Sequence, residues 1–208
     1  MRQVLLWAVI LEGLGLLTFL LLLGCARAAP TFPPEDTPEG SYARIALAVA
    51  EGRPRDLFAY LEDDSQWAAH TIRKERRVAL DRARKSYPPD ALAPLVASYG
   101  ADAVAADGVD VFVRLGNARG WFDRLRRDLS GVARVEVLGD RATIVTAHGT
   151  RYPMRRRKGG IWGLTLFSVE LSADAERATR DRTRIEEAAS DYDRARAPGH
   201  GKDHDAAP

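Results

Sequence analysis

A chain of 208 residues, 46% hydrophobic and 29% charged, has the size and balance of one globular domain with a substantial core, which sets aside a disordered chain. Its formal charge of +2 gives no global field toward nucleic acid or membrane, and its single cysteine excludes an internal disulfide. Of 31 basic residues only Lys74, Lys85, Lys158 and Lys202 are lysine. With so much Ala, Arg and Gly, the arginine count reflects the codon usage of a GC-rich genome and is weak evidence for anion binding.

At the N-terminus, Arg2 precedes an apolar run from Val4 to Leu23, interrupted by Glu12. Gly13–Leu23 forms the hydrophobic centre of a signal peptide over residues 1–24, and the full run is also about the length of a membrane span. Glu12 inside such a span is costly unless paired. Leu22-Leu23-Gly24-Cys25 resembles the bacterial lipobox, in which a small residue precedes a cysteine that receives diacylglycerol. The leading expectation is a lipid-anchored protein of the bacterial envelope with Cys25 as its modified N-terminus. Ala26, where some bacteria use Asp for inner-membrane retention, points to the outer membrane. Two alternatives stay open: cleavage after the A-x-A signal Ala26-Arg27-Ala28, which removes Cys25, and an uncut anchor.

Residues 25–39 carry Pro30, Pro33, Pro34 and Pro38 with Glu35 and Asp36, and read as a stiffened tether. From Ser41 the pattern is helical: Tyr42, Ile45, Ala46 and Val49 recur at 3–4 spacing until Glu51-Gly52. Pro54 suits the first turn of a second helix with Leu57, Phe58 and Leu61 on one face. Ala69, Ile72, Ala79 and Ala83 stripe a third helix over about 67–87, ended by Pro88-Pro89. Residues 90–108 are Ala-rich and ambiguous, with Asp107-Gly108 read as a turn. Trp121, Phe122, Leu125 and Leu129 mark a short amphipathic helix.

Beyond Val132 the period changes to two. Arg134-Val135-Glu136-Val137 alternates, Gly139-Asp140 is a hairpin turn, and strands follow at 142–147, 152–156 and 161–169, separated by His148-Gly149 and Lys158-Gly159-Gly160. A charged helix over 172–197 has a thin stripe of Ala178, Ile185, Ala189 and Tyr192, which suits edge packing. The tail 198–208 has no core-forming residues. Helices followed by an antiparallel meander make an α+β domain over 40–171.

The run "VEVLGDRATIVTAHGTRYPMRRRKGGIWGL", with "GWFDRLRRDLSG" before it, resembles small bacterial lipoproteins with an NTF2-like domain. The resemblance spans roughly 39–170 and rests on turn chemistry. It implies N-terminal helices across a strongly bent sheet, forming a cone that binds a ligand or partner, or that hosts isomerase- or dehydratase-type catalysis on a buried carboxylate.

The residues offer no active-site constellation: no nucleophile elbow, no phosphate loop, and Cys25 at a lipobox is not a catalytic thiol. His70 on a helix and His148 at a turn read as structural. His200, flanked by glycines, and His204 make at most a weak metal pair, and Asp102, Asp107 and Asp110 lack the alternation of a calcium loop. No catalytic residue, cofactor or metal is therefore expected. Trp67, His70, Trp121 and Trp162 are the candidate pocket, since aromatics with an occasional polar group suit a cleft.

Two basic clusters remain, Arg73–Lys85 on a helix and Arg155-Arg156-Arg157-Lys158 at a hairpin turn, the latter a candidate patch for anionic surfaces. Residues 71–158 are net positive and the flanking mature segments net negative, so pairing within the molecule is the competing reading. Nucleic acid is set aside, because the chain is exported and aromatics do not interleave with the arginines. The leading function is a non-enzymatic envelope protein binding a partner protein or a small ligand. Its rivals are an NTF2-like enzyme and a homodimer formed through an apolar outer face of 161–169, where Ile161 and Phe167 alternate with Trp162, Leu164 and Leu166.

Overall fold

The computed structural model describes residues 31–197. Cys25, the lipobox, the signal segment, His200, His204 and the C-terminal tail lie outside the described residues.

Helix α1 (Pro38–Ala50) starts where Thr37 caps it, its hydroxyl accepting from Gly40 N–H at 3.1 Å, with proline at the first helical position. It buries Tyr42, Ile45, Ala48 and Val49, and ends before Gly52, whose φ of 64° is left-handed. The segment before it is not a free spacer. Tyr60 O–H donates to Glu35 at 2.7 Å, Trp162 Nε1 donates to Asp36 O at 3.0 Å, and Ser41 O–H donates to Glu35 O at 3.1 Å. The tether expected over 25–39 is therefore docked on the domain over its last residues.

Helix α2 (Pro54–Phe58) is short, and Leu57, Phe58 and Leu61 are buried as its pattern requires. Helix α3 (Asp63–Ser86) carries Asp63 and Asp64 in its first turn and Arg84 and Lys85 in its last, matching its dipole at both ends. The stripe Ala69, Ile72, Ala79 and Ala83 is buried. Helices α4 (Pro89–Val104) and α5 (Gly108–Ala118) occupy the ambiguous region. Pro88-Pro89 does end α3, and it also starts α4, because Pro89 sits at a first-turn position that needs no N–H. Asp107-Gly108, read as a turn, is a helix start: the Asp107 carboxylate accepts from Asp110 N–H at 2.9 Å. Helix α6 (Trp121–Asp128) follows Gly120, left-handed at φ 66°.

The sheet is one antiparallel meander in the order β1 (Val132–Leu138), β2 (Arg141–Thr146), β3 (Arg151–Arg156) and β4 (Trp162–Leu164). Leu138 opposite Arg141 makes Gly139-Asp140 a two-residue turn. The sheet is not strongly curled, which departs from the cone that the resemblance implies. The strand expected over 161–169 is also shorter. Only Trp162–Leu164 pairs with β3, and helix α7 (Ser168–Arg196) begins four residues later, so Val169 is helical.

One sheet face, with Ala142, Ile144, Tyr152, Met154 and Leu164, closes the core with α1, α2, α5 and α6. At its centre Phe112 lies 5.5–6.0 Å from the rings of Phe58, Trp121, Phe122 and Phe167, and Trp121 stacks on Phe167 at 4.6 Å. A second cluster of Ala79, Ala83 and Ile185 joins α3 to α7. Helix α7 thus packs along α3, more deeply than its thin stripe suggested. Alanine lets the two backbones approach, and charges flank the seam: Arg76–Asp181 at 2.6 Å, Arg182–Glu75 at 2.5 Å and Arg82–Asp193 at 2.7 Å.

Candidate functional site

The start of α3 and the β3–β4 turn face each other. The helix supplies Glu62 at its cap, Asp63 and Asp64 in its first turn, and Trp67 one turn on. The turn supplies Arg155, Arg156, Arg157 and Lys158, closed by Gly159 and by Gly160 at φ 90°. Together they line an open cleft of about 300 Å³.

The four basic residues are not equivalent. Arg157 is spent inside the molecule, donating to Asp63 and to Ala59 O, both at 2.6 Å. Arg155 reaches Asp64 at 3.5 Å and the buried Glu62 at 3.6 Å, and Glu62 also accepts from the Ser168 hydroxyl. Arg156 makes only a long bond to Gly160 O, at 3.5 Å, and neither it nor Lys158 pairs with a carboxylate among the described residues. Half of the expected patch is thus neutralised by α3, and half is turned outward. Pairing within the molecule comes from Glu62, Asp63 and Asp64.

The four candidate pocket residues do not converge. Trp67 is 70% exposed on the wall of this cleft, while Trp121 and Trp162 are core side chains. His70 is exposed, with its ring 6.3 Å from Trp67 and 6.0 Å from Phe58, and Gly108 packs against it so closely that a Cβ there would lie 2.7 Å from Nδ1. Trp121 forms part of the floor of a smaller cleft of about 220 Å³, with Leu125, Tyr152 and Phe167. Arg124, Asp128, Arg151 and Glu170 surround it. Burial, with Tyr42 and Asp128 nearby, pushes the Tyr152 hydroxyl up to about 12, so it stays a neutral hydrogen-bonding group.

The remaining polar residues have structural duties. Asp102 accepts from Arg114 Nε at 2.8 Å, Asp107 caps α5, and Asp110 is held below the usual carboxylate range by Arg55 and by the Ala106 N–H. His148 is exposed at its turn. The basic face of α3 is a latch: Arg73 and Arg77 donate to the carbonyls of Ala105 and Ala103, and the Arg76 guanidinium lies 3.8 Å over the Tyr99 ring. In the segment 161–169, Ile161 is half-buried and Phe167 buried, and only Leu166 and Val169 are exposed large apolar residues. No group of three His, Cys, Asp or Glu that could hold a metal occurs among the described residues, and no helix among them is long and apolar enough to cross a membrane.

Sequence reasoning missed that the start of α3 and the β3–β4 turn share one cleft. The signal was present, since Glu62-Asp63-Asp64 before Trp67 is an acidic counterpart to Arg155–Lys158 across 91 residues or more of chain. No protein-family model, curated protein or solved structure matches this chain.

Proposed function

We propose that this is a non-enzymatic binding module of the bacterial cell envelope, lipid-anchored at Cys25, that takes a partner protein on the cleft beside Trp67. The observation that carries the reading is Trp67 itself. A side chain with that much apolar area stands 70% exposed next to Arg156 and Lys158, whose charges meet no carboxylate among the described residues. An exposed aromatic beside outward-turned cations is the composition of a recognition surface, where Trp and Arg are enriched. The chemistry suits a segment with an apolar side chain to cover the indole and carboxylates to meet the cations.

A small ligand is the second reading, favoured by the aromatic floor of Trp121, Tyr152 and Phe167 under Arg124 and Arg151. Its volume falls below the ~300–1,000 Å³ of drug-sized sites, so it suits only a small group. The domain is taken as an outlying NTF2-like arrangement. Helices that precede a meander and pack on one of its faces support this, and the weak curl of the sheet separates it from a cone.

Two measurements test the reading. A photo-reactive amino acid at position 67, in membranes of the producing bacterium, is expected to give a discrete protein adduct that disappears with Arg156→Glu and Lys158→Glu. An adduct equally abundant from the exposed Val169 overturns the cleft. Intact mass of the membrane-extracted chain is expected to start at Cys25 with diacylglycerol and acyl mass. A start near Ala29 means plain secretion, and retained Met1 means an uncut anchor.

A further inference from the structure

The two edges of the sheet are finished differently. β4 has three residues, and the chain itself covers its outer side. Leu61 bridges Leu164 in parallel, Leu164 N–H donates to Tyr60 O at 2.8 Å, and Glu62 N–H donates to Leu164 O at 3.2 Å. β1 has seven residues and ends the sheet order, with no strand on its other side among the described residues. Long edges are ordinarily blunted by proline, lysine, a bulge or an inward charge. Here the only irregularity lies at the start, between Val132 and Arg134, and the rest contains neither proline nor lysine. Val135 and Val137 stand opposite the core residues Ile144 and Ala142, so the core-facing side of this edge is apolar. Val132, Val137 and Leu138 are 40%, 57% and 83% exposed.

The sequence of the strand is complementary to itself. Set antiparallel to a second copy with Val135 opposite Val135, it places Arg134 against Glu136 and Glu136 against Arg134. The same register sets Ala133 against Val137, both apolar. The match stops there, because the irregularity between Val132 and Arg134 turns Val132 to the core-facing side, opposite Thr146, while Leu138 lies on the other side, opposite Arg141. The backbone agrees. The two-residue hairpin puts Leu138 in hydrogen-bonding position with Arg141, so Glu136 and Arg134 also direct their N–H and C=O toward β2. Those of Val135 and Val137 then point off the edge, and a twofold axis at Val135 lets the central pair exchange both bonds. Any one-residue slip sets the charges against valine and turns the apolar positions to the other face.

We infer that β1 is the pairing edge of a twofold homodimer, in which two copies of the four-stranded sheet join into one continuous antiparallel sheet. Glu136 is already braced by Arg134 at 2.7 Å and Arg151 at 2.6 Å. In the dimer Arg134 turns to Glu136 of the second copy, while Arg151 keeps its hold. Exposed pairs add little affinity; their work here is to fix register and reject other partners, while backbone bonds and the apolar strip hold the copies together.

The test is disulfide trapping of the full-length chain in membranes, with the wild-type chain as control for Cys25. Opposed residues of a hydrogen-bonded antiparallel pair have Cα atoms about 5.5 Å apart, within reach of a disulfide. Val135→Cys is expected to give a covalent dimer under mild oxidation. Val137→Cys alone is expected to give none, and to cross-link only when co-expressed with an Ala133→Cys chain. In the Val135→Cys background, Arg134→Glu and Glu136→Arg each reduce the dimer about tenfold, and mixing those two chains restores it. The inference is overturned if Val135→Cys stays monomeric, if Val137→Cys alone cross-links as well, or if the charge variants leave trapping unchanged. Restoration on mixing also shows that both charge variants remain folded.

Discussion

A Cβ on Gly163 would lie 2.6 Å from Cα of Glu62 and 2.9 Å from the Leu61 carbonyl carbon, both backbone atoms that cannot step aside. That missing carbon lets the segment entering α3 lie against β4, and so places Asp63 and Trp67 beside the β3–β4 turn. Gly163→Ala is expected to lower stability by about 1–3 kcal/mol, the usual range for overpacking. Gly139→Ala meets nothing within 4 Å and is expected to cost about 1–2 kcal/mol, through its φ of 62° alone. Denaturation curves separate the two, since only the first should also loosen the cleft, read as altered Trp67 emission. The turn glycines were legible from their neighbours in sequence. Gly163 was not, because its neighbour is 101 residues away. The tryptophans make the same point, for residue type alone does not separate a core indole from a surface one. Trp121→Ala is expected to cost about 3–5 kcal/mol, and Trp67→Ala within about 0.5 kcal/mol of nothing.

Among elements, the α3–α7 pair shows how a sequence pattern underreports packing. Apolar periodicity registers large side chains, whereas this seam is made close by Ala79, Ala83, Ala178 and Ala189, all fully buried. The flanking charges that made α7 look solvent-facing are themselves the lateral contacts, Arg76 with Asp181 and Arg82 with Asp193. Helices α4 and α5 escaped for a related reason. A run of alanine, valine and proline carries no amphipathic contrast, and the Asp107 cap looks like a turn until Val111, Phe112 and Leu115 are seen on one face. The β-meander was legible because its signals are local, a glycine-containing turn every ten residues or so and alternation between. Two variants test the seam. Ala79→Leu is expected to destabilise by about 1–3 kcal/mol, since the facing backbone leaves no room. Asp181→Ala leaves Arg76 nearly buried without its partner and is expected to cost about 2 kcal/mol or more. If chemical denaturation shows both to be neutral, α7 is an appendage and not part of the core.

For the molecule as a whole, charge and burial set opposite limits in pH. Arginines hold Asp110, Glu136 and Asp193 below the usual carboxylate range. A folded-state pKa below the unfolded value means stability that is present above the unfolded pKa and lost as pH falls through the folded one. These carboxylates are exposed, so that acid limb should be shallow and should soften further in 1 M salt. The alkaline limb has another origin. Burial is the first cause that raises Tyr42, Tyr60, Tyr87, Tyr99 and Tyr152, with Tyr60, bonded to Glu35, and Tyr152 pushed up to about 12. The folded chain then keeps phenolic protons that the unfolded chain releases above about 10. Between the acid limb and pH 10 stability is expected to be level, and from there to about 12 to fall steadily, with little dependence on salt because desolvation is not screened. Tyr60→Phe and Tyr152→Phe should each flatten the slope, measured as melting temperature against pH. An alkaline loss that salt abolishes would assign it to surface charge, and the tyrosines would then titrate as they do in the unfolded chain.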